Sequence, residues 1–363
     1  MSSPLLTPYA GPHLSLPNRI VMAPMTRGRA DDATGVPHPL TGTYYAQRAT
    51  AGLIVTEGLW PHVLGKGGPG IPGLVTDAHV AGWREVTGAV HAAGGTIFAQ
   101  LWHVGRMTHP LNLPGRATPR APSAVRIEGE PIYTGQGDVE HVTPRAMTTA
   151  EAEATIADFA AAARNAIRAG FDGVEVHGAN GYLVQQFLAE NTNRRTDRFG
   201  GSRTGRLRFA VDVVEAVAAE VGPERVGLRI SPHNPENEIA EEDPEGTYRT
   251  LVDTLDRLGL AYLHVIERGA YGALADLRPR WSGTLIGNFN GPHPTSQKAG
   301  EVVVAAGLAD VFSFGRHFIA NPDLPHRFAT GAPLATHVPS LVYGGDAEGY
   351  TDYPAALVPQ PTT

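Results

Sequence analysis

The sequence predicts a closed barrel of eight parallel strands, each returned to the next by a helix. Three observations carry this. Eight short, apolar, β-rich runs occur in series; longer amphipathic stretches separate them; and the 43 glycines and 30 prolines punctuate these segments instead of clustering. A parallel return needs a crossover of about a dozen residues, taken right-handed, so strands that alternate with helices imply a parallel sheet. Eight such units close most simply into a (β/α)8 barrel, and barrels of this kind reach 363 residues as one domain, so a single domain spanning 1–363 is expected.

The elements follow in order. An N-terminal β-hairpin is expected ahead of the barrel. The first barrel strand is read at Asn18–Pro24, the second at Gly52–Glu57 and the third at Thr96–Leu101. The series continues with Gly173–His177, Val226–Ile230, Tyr262–Ile266, Thr284–Gly287 and Asp310–Gly315. Among the helical stretches, 149–169 places Ile156, Phe159, Ala163 and Ile167 at three- and four-residue steps behind a Thr149-x-x-Ala152 start. Similar stretches at 206–221, 243–258 and 296–306 are each closed by a nearby glycine. Two segments lack a clean period. The insert at 107–143, after strand three, is expected to pass over the barrel mouth, and 268–281 has no assigned helix.

Composition narrows the function. The 29 basic residues against 36 acidic ones give a net charge of -7, spread along the chain, which makes nucleic acid an unexpected partner. With no cysteine there is no disulfide framework, thiolate metal site or Cys nucleophile. The fifteen histidines show no HExxH or similarly tight spacing, so no metal is expected. No signal peptide and no long apolar run are visible, which points to a cytoplasmic protein that is not in a membrane. The arginine-rich 194–208 stretch, containing Asp197, is read as a solvated loop and helix start.

Barrels of this kind build their sites at the carboxyl ends of the strands. Here those ends are polar. Strand one exits into Pro24-Met25-Thr26-Arg27, strand two into Glu57-Gly58, strand three into Gln100-Leu101-Trp102-His103, and strand five carries Arg229. An amide, a hydroxyl and a fixed cation at one mouth suit a large planar heterocycle such as reduced flavin, whose anionic ring a guanidinium would stabilise. An Arg229 paired with an interior carboxylate is the competing reading. Strands seven and eight end in Gly287-Asn288 and Gly315-Arg316, where barrels often hold a phosphate, although two ordinary glycine turns would look the same. A phosphate handle opposite a ring-binding edge points to a mononucleotide, and no GxGxxG follows the first strand. At the end of strand four, His177-x-x-Asn180-x-Tyr182 offers two neutral donors to one substrate oxygen and a phenol that can protonate a carbon.

With these residues placed, the chain resembles the old yellow enzyme family of FMN-dependent ene-reductases from about Leu5 to Pro354. The segments NRIVMAPMTR (18–27), QLWHVGR (100–106), AGFDGVEVH (169–177), GYLVQQFL (181–188), NRRTDRFGGS (193–202) and GRHFIANPD (315–323) carry the resemblance. It implies that Thr26, Gly58, Gln100 and Arg229 bind the isoalloxazine, with Ala23, Pro24 and Met25 beside them, and that Gly287, Asn288, Gly315 and Arg316 hold the phosphate. His177 and Asn180 would hold the substrate's electron-withdrawing group, Tyr182 would donate the proton, and Trp102 and Tyr343 would shape the pocket. It further implies a ping-pong cycle in which NADPH or NADH reduces FMN and an activated alkene then takes the hydride. The substrates would be enones, enals and, within the same chemistry, nitroalkenes or nitro compounds, acted on by a monomer or homodimer. Thr26 in place of Cys matches the better-known branch of the family. Gly58 is smaller than the alanine or serine expected there and would open the site near the flavin, and the acidic 234–243 segment departs from the family's pattern. A flavin-free barrel acting on a phosphorylated metabolite and a non-catalytic flavin-binding module are the rivals.

Overall fold

Eight runs buried on both faces form a closed parallel barrel in the computed structural model, which describes residues 3–269 and 271–356. They are β1 (Ile20–Met22), β2 (Leu53–Leu59), β3 (Ile97–Leu101), β4 (Gly173–Gly178), β5 (Val226–Ile230), β6 (Tyr262–Glu267), β7 (Thr284–Phe289) and β8 (Val311–Phe314). Neighbours in sequence are neighbours in the sheet, and β8 pairs with β1 to close it. Burial on both faces is why these strands read as continuous apolar runs instead of alternating ones.

Side chains alternate along a strand, so residues two apart share the barrel interior. That interior has two levels. At the amino end Val21, Leu53, Val55, Phe98, Tyr262, Ile286 and Val311 form one apolar cluster. The N-terminal hairpin, Tyr9–Ala10 against Ser15–Leu16, adds Tyr9, Leu14 and Leu16 to this cluster, and the Tyr9 hydroxyl lies 2.9 Å from Thr284 Oγ1. The hairpin therefore plugs the bottom of the barrel. Two residues further along the same strands the interior turns polar: Gln100, His264, Asn288 and Ser313 are all buried, with Glu175 on β4 and Arg229 on β5 beside them.

The chain returns through helices α1 (Leu40–Ala46), α2 (Asp77–Ala92), α3 (Thr149–Arg168), α4 (Leu183–Leu188), α5 (Arg203–Val221), α6 (Pro244–Leu255), α7 (Ala273–Leu277), α8 (Gln297–Ala305), α9 (Arg316–Ala320) and α10 (Leu324–Thr330). α3 begins at Thr149 as expected, but its capping pair is Thr148 with Glu151, one residue before the Thr149-x-x-Ala152 pair read from the sequence. Thr148 Oγ1 accepts from Glu151 N at 3.1 Å and Glu151 Oε2 accepts from Thr148 N at 2.9 Å, a reciprocal pair that Thr149 and Ala152 cannot make because alanine has no acceptor. The aperiodic 268–281 segment holds α7 and a single 3-10 turn, too short for a period to show. The 194–208 stretch is less solvated than expected: Arg206 is buried and donates to the carbonyls of Leu188 and Gly201, and Arg195 donates to Pro122 O and Asp197. Among the described residues no helix is long and apolar enough to cross a membrane, and no cluster of His, Asp and Glu could hold a metal ion.

Candidate active site

The strand-four turn begins from a buried histidine. His177 Nδ1 accepts from Ala179 N at 3.2 Å, which places the ring proton on Nε2. Burial, reinforced by the Arg229 charge, pushes the His177 pKa down to about 3, so Nε2–H is a neutral donor that does not titrate in the working range. The chain then turns through Asn180 (φ 55°) and Gly181 (φ 73°), left-handed conformations that these two residue types tolerate. The Asn180 backbone is held on both sides: its N–H donates to Ser231 Oγ at 2.8 Å and its carbonyl accepts from Asn237 Nδ2 at 2.7 Å. Tyr182 stands edge-on to Trp102 (4.9 Å between ring centres, 81°) and to His177 (5.1 Å, 77°). Burial, with the nearby Glu236 carboxylate, raises its phenol well above the usual value and keeps it protonated.

A cavity of about 520 Å³ opens above these rings, lined by Thr26, Trp102, Tyr182 and the exposed Tyr343. Met107, Ile132 and Tyr133 of the insert line its far side, so the insert does pass over the mouth. Tyr343 is brought there by two buried arginines: Arg27, given no role when the strand-one exit was read from the sequence, and Arg29, not singled out there. Arg27 donates to the carbonyls of Val342 and Gly349, and Arg29 to those of Leu341 and Val342, strapping the C-terminal segment across the barrel. Glu57, met in sequence as a strand-end carboxylate, faces away from chemistry: its Oε2 accepts from Arg27 N and Gly28 N, both at 3.1 Å, and fixes the loop after β1. Gly58 does not open the site. A Cβ there would lie 2.3 Å from Trp102 Cε3 and 2.8 Å from Trp102 Cβ, so the indole occupies the space that the small residue leaves.

Below the cavity lies the polar level of the barrel. Gln100 Nε2 donates to Glu175 Oε1 at 2.8 Å; His264 donates from Nδ1 to Glu175 Oε2 at 2.8 Å and faces Ser313 Oγ from Nε2 at 2.8 Å. Because a carboxylate only accepts, the Gln100 amide orientation is fixed and its Oε1 is left for a ring N–H. Burial alone would raise Glu175; His264, Arg229 and Gln100 outweigh it and hold the carboxyl below its ordinary value. Arg229 donates from Nη2 to Asn288 Oδ1 at 3.2 Å, and its Nε is buried with no partner. Glu175, His264 and Ser313 had not been singled out in the sequence, although a Glu and a His inside apolar strands were a visible signal.

A second cavity, of about 190 Å³, continues from Arg229 along Ala23, Pro24, Met25, Asn288, Gly315 and Arg316. Two expectations change here. Gly287 lies off this cavity: its missing Cβ would meet Phe312, Leu274 and Ala309 at 3.1–3.3 Å, so the glycine serves strand-to-helix packing. The Arg316 guanidinium is engaged with the carbonyls of Gly291, Pro292 and His293, which shapes the 290–295 loop; Asn290, Pro294 and Thr295 of that loop, unnoticed in the sequence, line the cavity.

Stability should be acid-sensitive. Burial pushes His103 and His177 down to about 3, against an ordinary value near 6.5. Below that value the unfolded chain takes up protons that the folded chain refuses. Their contribution is therefore complete above pH 6.5 and is lost as pH falls toward 3, by roughly 2 kcal/mol per ring at pH 5. Melting temperatures recorded from pH 7 to 5 should fall steadily, and less steeply in His103→Gln.

The family model described as NADH:flavin oxidoreductase / NADH oxidase matches residues 4–335 of this chain. The chain belongs to that family. Its relatives include 12-oxophytodienoate reductase 2 of Arabidopsis thaliana, 39% identical over 98% of this chain and 96% of the relative. Morphinone reductase, solved in complex with tetrahydroNAD, superposes with a TM-score of 0.92 at 46% identity, over 97% of each chain. The old yellow enzyme homologue of Zymomonas mobilis gives 0.91 at 39% identity, over 96% of this chain and 99% of the other. The family member is therefore an FMN-dependent oxidoreductase with NAD(P)H as reductant, which sets aside the flavin-free barrel. Its residues fit the cofactor: Arg229 Nε is a buried cationic donor with no protein partner, and Gln100 Oε1, left free by the bond from its amide nitrogen to Glu175, complements it.

Proposed function

We propose that this enzyme reduces carbon–carbon double bonds activated by a carbonyl or nitro group, with NADPH or NADH as electron source, on a single barrel domain spanning 1–363. One constellation supports the reading: the Tyr182 phenol, held protonated, lines the larger cavity and stands edge-on to His177, a neutral Nε2–H donor, while the Asn180 carboxamide lines the adjoining cavity with Arg229. Thr26, Gly58, Gln100 and Arg229 would hold the flavin ring, and Ala23, Pro24, Met25, Asn288, Gly315 and Arg316 the remainder. Bound FMN would supply the two-electron hydride chemistry that connects NAD(P)H to the β-carbon of the alkene.

The protein's own work is positioning and proton delivery. His177 and Asn180 donate to the substrate oxygen, drawing electron density from the double bond and stabilising the charge that develops there. Tyr182 delivers its proton to the α-carbon. Trp102 and Tyr343 bound the pocket. Reductant and alkene use the same mouth, so each must leave before the other binds. The test is binding of phenol to the oxidised holoenzyme, followed through the flavin spectrum. His177→Ala combined with Asn180→Ala should weaken binding by about 100-fold, at roughly 1.4 kcal/mol for each lost donor. Unchanged affinity would remove the donor role.

A further inference from the structure

We propose that Asn234 is a positioning residue that decides which end of the Asn180 amide faces the substrate. This rests on the reading of Asn180 as a substrate donor and extends it. An amide's oxygen and nitrogen are nearly alike in shape, so its partners set its orientation. For Asn234, which is 1% exposed on the loop after β5, those partners allow one answer. Arg268 Nη1, at 2.8 Å, and the Glu236 backbone N–H, at 3.2 Å, can only donate, so the atom they touch is Oδ1. The other end of Asn234 is then Nδ2, and it lies 2.9 Å from the Asn180 side chain. It donates, so the Asn180 atom it meets is Oδ1. Asn180 is left with Nδ2, a donor, as its free end.

Polarity thus passes from a surface guanidinium through a buried amide to the mouth. Arg268 is itself held by Glu236 Oε2 at 3.2 Å. Since Ser231 and Asn237 fix the Asn180 backbone, rotation of the terminal amide is the freedom that remains, and Asn234 removes it. The same loop carries His233, Asn237 and Glu238 at positive φ (58°, 54° and 57°). Turned the other way, Asn180 would present Oδ1 to a carbonyl oxygen and repel it.

The informative variant is Asn234→Asp in the holoenzyme. Aspartate keeps the shape and the contact with Arg268 but has no N–H, so Asn180 can satisfy it only by turning Nδ2 toward it. Phenol binding should weaken about tenfold, and the KM for 2-cyclohexenone should rise by a similar factor. Asn234→Ala adds no charge and leaves both amide orientations open; with half the molecules competent, affinity should fall about twofold. The added charge of Asn234→Asp also acts when Asn180 is absent, whereas the amide flip cannot. In an Asn180→Ala background the substitution should therefore change binding by less than about twofold. The relay is overturned if Asn234→Asp binds as wild type while Asn180→Ala is weakened, or if it weakens binding equally with and without Asn180. If Asn180→Ala itself binds normally, the donor reading falls and the relay with it. Melting curves of each variant separate these outcomes from loss of fold.

Discussion

Tyr182→Phe should slow re-oxidation of the reduced enzyme by 2-cyclohexenone by about 10²–10⁴-fold, the usual worth of a positioned general acid, while reduction by NAD(P)H proceeds at the wild-type rate. The asymmetry follows from the chemistry: filling the cofactor needs no proton at carbon, whereas completing the alkene's reduction does. Phe preserves the edge-on contacts with Trp102 and His177, so the loss isolates the hydroxyl. Because burial and Glu236 raise the phenol, it stays protonated across the working range, and the wild-type rate should show no falling limb below pH 9 from its ionisation. Stopped-flow traces of the two half-reactions check both statements. Equal rates in the oxidative half-reaction would mean that water or another group supplies the proton.

Arg229→Met should yield protein that loses flavin on purification and melts at a lower temperature. Two effects add. The ligand loses the cation whose Nε has no protein partner, and the buried Glu175 loses its compensating charge. Removing one member of a buried charge set costs about 3–5 kcal/mol, equivalent to at least 100-fold in an equilibrium constant. Arg229→Lys should retain the charge and part of the flavin. The readouts are the flavin-to-protein absorbance ratio and calorimetry. Full retention of flavin by the methionine variant would assign Arg229 to the Glu175 network alone, the competing reading of the sequence.

The barrel was legible because burial on both faces leaves a simple imprint, and β5 falls at Val226–Ile230 as expected. β2 runs two residues past its expected end. Its register shifts between Val55 and Gly58, so pairing continues beyond the charged Glu57 that resembled a terminus. Site residues at strand ends, such as Gln100, His177 and Arg229, stood out as polar groups closing apolar runs. Glu175 and His264 were equally visible as polar residues inside apolar runs, but their meaning lies in a contact between positions 89 residues apart. Arg27 and Arg29 were obscure for a related reason: their partners are backbone carbonyls at 341–349, which have no signature in sequence. Gly58 and Gly287 misled in the same way as each other. A glycine shows that a side chain is missing, but the neighbour that fills the gap, Trp102 in one case and Phe312 with Leu274 in the other, is known only from the fold.

Reduction of an activated alkene at this mouth is tested most directly in one anaerobic cuvette. The purified enzyme should show a flavin band that bleaches with NADPH or NADH and returns when 2-cyclohexenone is added, with one cyclohexanone formed per flavin re-oxidised. A band that bleaches with the nicotinamide but stays bleached in the presence of the enone would contradict the account, leaving a flavin reductase whose acceptor is not an activated alkene.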